Sequence, residues 1–401
     1  MSAKGEAELR YLRSPRAIRE RCEALYALAV RGELAHWSVD EARLDEIARR
    51  VVHTTRAAYP DLHAIPGHSR WRHFAAGGVD RVGALDARLQ GLDEEERLAT
   101  RFDLVITSVL LDAGAGDRWR YRDASGRTYS RSEGIAVASY DLFVAGVFSD
   151  RPADAPLRAD AAALEKAAEA VIAGRLQVAG DNPMIGVAGR ATLMQRLGAV
   201  VRDHPAWGGR LGGLGIQLLR AARDGRLPAA EVLAFVLEAF APIWPGREVC
   251  AGQNLGDVWT HPKVGRVPLH KLSQWLTYSL FEPLEWAGVT LATPDDLTGL
   301  AEYRNGGLFV DGGALVPRHP GVLADEHEVA SEVVVEWRAL TVAMLDRTAE
   351  RVRSVLGLSA SELPLAKVLE GGTWRAGREL AAEKRAGGGP PLRVRSDGTV
   401  F

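Results

Sequence analysis

Cysteine is nearly missing: Cys22 and Cys250 are the two in 401 residues. They cannot build a disulfide framework or a cysteine-rich zinc site, so the expected setting is the reducing cytoplasm. Neither sign of charge is in excess. Lys+Arg number 50 and Asp+Glu 52, a net charge of −2. Such a chain is poorly suited to coating a nucleic-acid backbone, and no nucleic-acid partner is expected. No apolar run approaches the roughly 20 residues of a membrane span, and the charged N-terminus lacks the apolar core of a signal peptide, so no membrane partner is expected either. The phosphate loop GxxxxGK[ST], a GxGxxG after a strand, the GxSxG elbow, HExxH and CxxC are all absent. Common nucleotidase, dehydrogenase and hydrolase signatures are thereby excluded. With no recognisable ligand spacing, the expectation is no metal and no cofactor.

What is present is helix. Hydrophobic residues make up 47% and charged residues 25%, and the mean hydropathy is −0.09, which fits a globular chain with a sizeable core. Ser14-Pro15 before an amphipathic run closed by Gly32 reads as N-cap, proline at the first helical position and glycine stop. Asp40 is placed to cap the next helix. The apolar run 102–111 suits a buried helix better than a buried strand. Residues 115–135 alternate aromatics with charges around an Asp-Ala-Ser-Gly turn, which predicts a hairpin. Helices are expected over 135–147, 160–173, 187–201, 214–224, 229–241, 270–286 and 329–356. Pro283 should kink or end the apolar run 270–286. The fold class is therefore mainly α, one large helical domain over 1–401 with a small hairpin or sheet. The Pro-rich loop 149–157 allows a subdivision into lobes 1–150 and 158–385, followed by a Gly/Pro-rich tail, 386–401.

Five clusters carry residues suited to chemistry. His68-Ser69-Arg70-Trp71-Arg72-His73 reads as an anion site, a metal site or a polar loop; its histidines, five apart, do not share a helix face. Asp112 ends an apolar run before Gly114 and Gly116, with Trp119 following. It is either a helix-end aspartate or a buried carboxylate facing a pocket with Trp119 as a wall. His270 and Lys271 open an apolar helix. Lys271 must either snorkel to water or meet a carboxylate. Glu302, Tyr303, Arg304, Asn305 and Asp311 crowd a segment with two Gly-Gly pairs, read as turns or as close backbone approach to a ligand. Glu336 and Arg338 interrupt an apolar helix and read as an internal ion pair.

Taken together, HSRWRHF (68–74), LLDAGAG (110–116), HKLSQWLTYSLFEPLEWAG (270–288), LTGLAEYRNGGLFVDGG (297–313), VVVEWRALTVAMLD (333–346) and the terminal SDGTVF resemble the bacterial and fungal uracil-catabolism family over nearly the whole chain. The resemblance implies a place in a route that degrades uracil through a ring-opened, ribose-linked intermediate toward urea. It also implies a functional partnership with a GTP-cyclohydrolase-like ring-opening enzyme. A more distant resemblance is to the queuosine-salvage N-ribohydrolases, whose fold is related to helix-hairpin-helix DNA glycosylases. It rests on Leu110-Leu111-Asp112, Lys271-Leu272-Ser273-Gln274, Leu297-Thr298 with Ala301-Glu302-Tyr303-Arg304, and Glu336-Trp337-Arg338. Here Glu302 replaces the loop aspartate of that family, and Asn305-Gly306-Gly307 replaces its valine-proline-glutamine, which fits a different leaving group.

The resemblance implies an N-ribohydrolase acting on ribosylurea or its 5′-phosphate. Glu302 and Asp112 are then the candidate catalytic carboxylates, with Lys271 holding Glu302 ionised or binding a phosphate. Trp119 and Tyr303 would wall the sugar, and Arg70 or Arg72 would meet a phosphate. His68, His73, His270, Arg304, Asn305 and Asp311 complete the expected substrate site. The alternatives are a metal-dependent amidohydrolase using His68, His73, His261, His270 and Asp257, and a non-catalytic partner of the ring-opening enzyme.

Overall fold

A computed structural model describes residues 2–112, 114–116 and 118–395. The terminal SDGTVF lies outside the described residues. Among them are eighteen α-helices, and the strands form six two-stranded ladders rather than one sheet. Among the described residues, no helix is long and apolar enough to cross a membrane. The residues gather into two compact units, each built from separated stretches of chain.

The first unit takes in 2–68, 246–274 and 293–395. Its centre is the helix Glu332–Leu356, in which Val333 through Leu345 are buried without a break. A helix apolar all round must be enclosed, and it packs against the helices Pro15–Val30, Leu44–Ala58 and Tyr303–Asp311. Gly357, at φ 70°, closes it in the left-handed conformation that favours glycine. Ser14 accepts from the Ala17 amide with Pro15 at the first turn, as the sequence pattern predicts. Asp40 caps a short 3-10 turn, Glu41–Arg43, which leads into Leu44–Ala58. The strands Val258–His261 and Gly265–Pro268 pair as an antiparallel hairpin.

The second unit takes in 69–245 and 275–292. Its core helix, Glu94–Leu110, is capped by Asp93, carries Glu94, Glu95 and Glu96 in its first turn, and is buried from Leu98 onward apart from Arg101. Acidic residues at that end complement the helix dipole. The expected hairpin is present as Arg120–Arg122 paired with Thr128–Ser130. The single helix expected over 160–173 is two shorter ones, Ala161–Glu165 and Glu169–Arg175. Asp160 makes no side-chain cap there; its carboxylate takes the Arg158 guanidinium at 3.0 Å and the Asp150 amide at 3.2 Å.

Packing explains how one proline and one pair of glycines are accommodated inside helices. The helix Lys271–Trp286 runs on past Pro283. Proline has no amide to give the carbonyl four residues back. That carbonyl, of Ser279, receives the Trp71 indole at 2.8 Å. Gly306 and Gly307 are not a turn: both lie inside the helix Tyr303–Asp311. A Cβ on Gly306 would sit 2.6 Å from Cε2 of Trp337, so the glycine admits a neighbouring helix rather than a ligand. Gly306→Ala is accordingly expected to cost about 1–3 kcal/mol of stability through overpacking, read as a lowered urea midpoint at unchanged slope.

Candidate functional site

In the first unit the Lys271, Glu302 and Arg338 motifs meet around Asp257. This aspartate immediately precedes the strand Val258–His261. Its Oδ1 and Oδ2 each take an N–H of Arg338 at 2.7 Å. Oδ1 also accepts the Trp259 indole at 2.6 Å, and Oδ2 the Lys271 amide at 2.9 Å. The carboxylate thus caps the helix Lys271–Trp286 while pairing with the helix Glu332–Leu356. Burial opposes its ionisation, but the Arg338 guanidinium and these donors outweigh it and hold the carboxyl well below the usual range. Arg338 also donates from Nε to the Ala301 carbonyl at 3.2 Å. Sequence reasoning paired Arg338 with Glu336. Residues two apart on a helix do not face each other, and Glu336 lies against His261 instead, 3.4 Å from its Nε2.

Glu302 follows Ala301 and is the N-cap of the helix Tyr303–Asp311. It accepts the Arg304 amide at 2.7 Å and the Asn305 amide at 2.5 Å. Burial pushes its carboxyl up; the Arg304 amide, the Lys271 ammonium and the Asn305 amide pull it back toward the charged form. Lys271 is buried in the same unit, and its ammonium is among the groups that favour the charged form of Glu302. The loop before Glu302 is held by Gln274, whose Oε1 accepts both the amide and the hydroxyl of Thr298 at 3.0 Å. His270 has φ 45°, rare for a residue with a side chain. Its amide donates to the Asp257 carbonyl at 3.2 Å, and its Nε2–H to the Leu12 carbonyl at 2.9 Å. Burial pushes this imidazole's pKa down from its ordinary value.

The remaining expected residues of this unit are committed elsewhere. Asp311 pairs with Arg385 through two contacts of 2.6 Å. Arg304 donates to the Gly388 carbonyl at 2.7 Å and lies over the Tyr303 ring. His68 holds Glu370 at 2.8 Å through Nδ1.

The Asp112 cluster belongs to the second unit. Asp112 ion-pairs with Arg70 at 2.7 Å and accepts from the Ser132 hydroxyl. Arg70 is fully buried and also donates to Ser108 Oγ at 2.6 Å. His73 Nδ1 lies 3.1 Å from Ser132 Oγ, and its ring is tilted against Trp275. Arg72 pairs with Glu282. Both arginines offered as phosphate ligands therefore already hold carboxylates. Trp119 is fully buried and donates to the Leu176 carbonyl at 2.8 Å. Sequence reasoning missed Arg190, which is fully buried in this unit and donates to the Leu111 carbonyl at 2.7 Å and that of Gly114 at 2.9 Å. Burial pushes its guanidinium down to about 10. An arginine at a buried helix position was the available signal.

Of the residues offered as metal ligands, Asp257 and His270 are tied up as described. Among the described residues, His261 is the one of them that falls in a group of three such residues, with Glu332 and Glu336.

Asp257→Asn leaves a buried guanidinium facing a neutral amide, and a loss of about 3–5 kcal/mol is expected. The sign with pH follows from the lowered carboxyl. Its stabilisation is full above the unfolded value of roughly 4 and is lost as pH falls below that toward the folded value. The stability gap between wild type and Asp257→Asn, measured by urea unfolding, should therefore narrow as the buffer is taken below about pH 4.

Protein urg3 of Schizosaccharomyces pombe is 38% identical over 392 residues, covering 96% of each chain. Uracil catabolism protein 4 of Lachancea kluyveri is 34% identical over 435 residues, covering 98% of each. A family described as "Protein of unknown function (DUF1688)" matches residues 11–401. That span includes every motif described above, and the chain belongs to the DUF1688 family.

Proposed function

We propose that this protein acts in uracil catabolism as an N-ribohydrolase, cleaving the N-glycosidic bond of ribosylurea or its 5′-phosphate to release urea. The observation that carries the reading is Glu302, a buried carboxylate held on two backbone amides. The name of the Lachancea kluyveri relative supports the pathway. The likeness to queuosine-salvage enzymes, and through them to the DNA-glycosylase-like fold, supports the reaction type.

Cleaving an N-glycosidic bond builds positive charge on the sugar, as in glycoside hydrolysis. A fixed carboxylate stabilises that charge or orients the attacking water, and it does so more strongly where water is scarce. In this reading Glu302 performs that role. Lys271 maintains its charge, and Asp257 and Arg338 hold Lys271 and the Ala301-Glu302 backbone in register. The substrate comes from the ring-opening enzyme that precedes it.

Glu302→Gln keeps size and loses charge. Urea release from synthetic ribosylurea, with and without the 5′-phosphate, should fall by about 10²–10⁴ in kcat with little change in KM. A melt on the same variant should show a loss on the order of 1 kcal/mol, the usual cost of weakening a helix cap. Because burial raises the Glu302 carboxyl above the ordinary 4.5, wild-type kcat/KM should decline with acid at a pH above that value. A destabilised but fully active variant would make Glu302 a cap alone and move the chemistry to Asp112. No urea from either substrate with wild-type protein would leave a non-catalytic role beside the ring-opening enzyme.

A further inference from the structure

A second group of polar side chains lies at the start of the helix Glu332–Leu356 and plays no part in the proposed hydrolysis. Glu332 and Glu336 are four residues apart and share a helix face. His261, the last residue of its strand, reaches that face. Its Nε2 is 3.4 Å from Glu332 Oε1 and 3.4 Å from Glu336 Oε1. The three ligand atoms all fall within 4.8 Å of one another.

Those separations are longer than the roughly 2.7–3.2 Å of N–H···O hydrogen bonds. They equal the edge of a coordination tetrahedron: zinc bonds of about 2.1 Å give ligand–ligand edges of about 3.4 Å. Charge points the same way. The His261 and Glu336 side chains are 0% exposed and Glu332 is 32% exposed. Among the described residues, the ion-pairing partners of these two carboxylates are histidines, with no lysine or arginine. A fully buried carboxylate beside a second one calls for a compensating cation. The outer contacts are also arranged. The His36 amide donates to Glu336 Oε2 at 3.3 Å, which turns Oε1 toward His261. His36 Nε2 stands 3.9 Å from the outer oxygen of Glu332.

We propose that His261, Glu332 and Glu336 form a binding site for one divalent first-row metal ion of the zinc class, with a further coordination position on the solvent side of Glu332. One imidazole and two carboxylates suit such an ion. Binding carries a proton rearrangement. The Lys263 amide donates to His261 Nδ1 at 3.2 Å, so without metal the imidazole proton sits on Nε2. Ligation through Nε2 moves that proton to Nδ1, and the Lys263 amide turns away. Lys263 is an exposed residue of the hairpin turn, so the adjustment stays local.

The test uses tag-free full-length protein grown with added zinc and dialysed before metal analysis. Wild type should retain about one equivalent of zinc. Stripped protein titrated with cobalt(II) should develop the visible bands of tetrahedral coordination, and its melting temperature should be higher with zinc than with EDTA. His261→Ala should abolish the cobalt bands. Glu332→Gln, altering the partly exposed ligand, should fold normally and bind at least about tenfold more weakly. If His261→Ala fails to fold, the Glu332→Gln titration decides. The proposal is overturned if wild type holds no zinc and melts alike in zinc and EDTA, which would make the cluster a hydrogen-bonded histidine alone. It is equally overturned if Glu332→Gln matches wild type in affinity and spectrum, which would place the metal elsewhere.

Discussion

The first unit depends on one buried ion pair, Asp257 with Arg338. A guanidinium offers its N–H groups in a rigid fork, and a carboxylate matches two of them at once. Here the fork has a third use: Nε holds the Ala301 carbonyl. The carboxylate likewise serves the Lys271 amide and the Trp259 indole. Hairpin, helix start and the Glu302 loop are therefore all positioned from one planar group. Neither partner has a low-cost replacement. Removing one charge strands the other in a medium that cannot solvate it.

The two buried acids of this region show how environment separates chemically similar groups. Asp257 faces a guanidinium directly and stays ionised far into acid. Glu302 is bonded to two amides and, among the described residues, has no guanidinium bonded to its carboxylate, so burial keeps the upper hand and its carboxyl rises. A carboxyl pinned low is suited to architecture. One raised by burial gives up its charge more readily. The contrast follows from what each side chain touches.

Much of this was legible in the sequence because it is local. Ser14-Pro15 and Gly357 mark helix ends through contacts a few residues away, and the hairpin 120–130 follows from alternation and a turn. The motif segments holding Lys271, Glu302 and Arg338 could be singled out, since charge in apolar surroundings is visible in a string. Their partners could not. Asp257 lies 81 positions from Arg338, and nothing in the string connects them. Glu336 and Arg338 looked like a pair because they are neighbours in sequence, but the helix turns them apart. The glycines at 306 and 307 resembled a turn because a list of residues does not show the indole of Trp337 packed against them. Pro283 resembled a helix end because Trp71, which takes over the orphaned carbonyl, belongs to another motif.

His270 gives the N-terminal segment a hold on the site. Its left-handed backbone turns the chain into the helix that begins with Lys271, a conformation glycine would adopt with less strain. Histidine's compensation is the imidazole bond to the Leu12 carbonyl. The opening helix Ala3–Leu12 is thus more than a dispensable leader on a finished domain. It serves as a brace for the residue that aims Lys271, and an engineered or spliced variant beginning after Leu12 would inherit the strain at position 270 without the contact that offsets it.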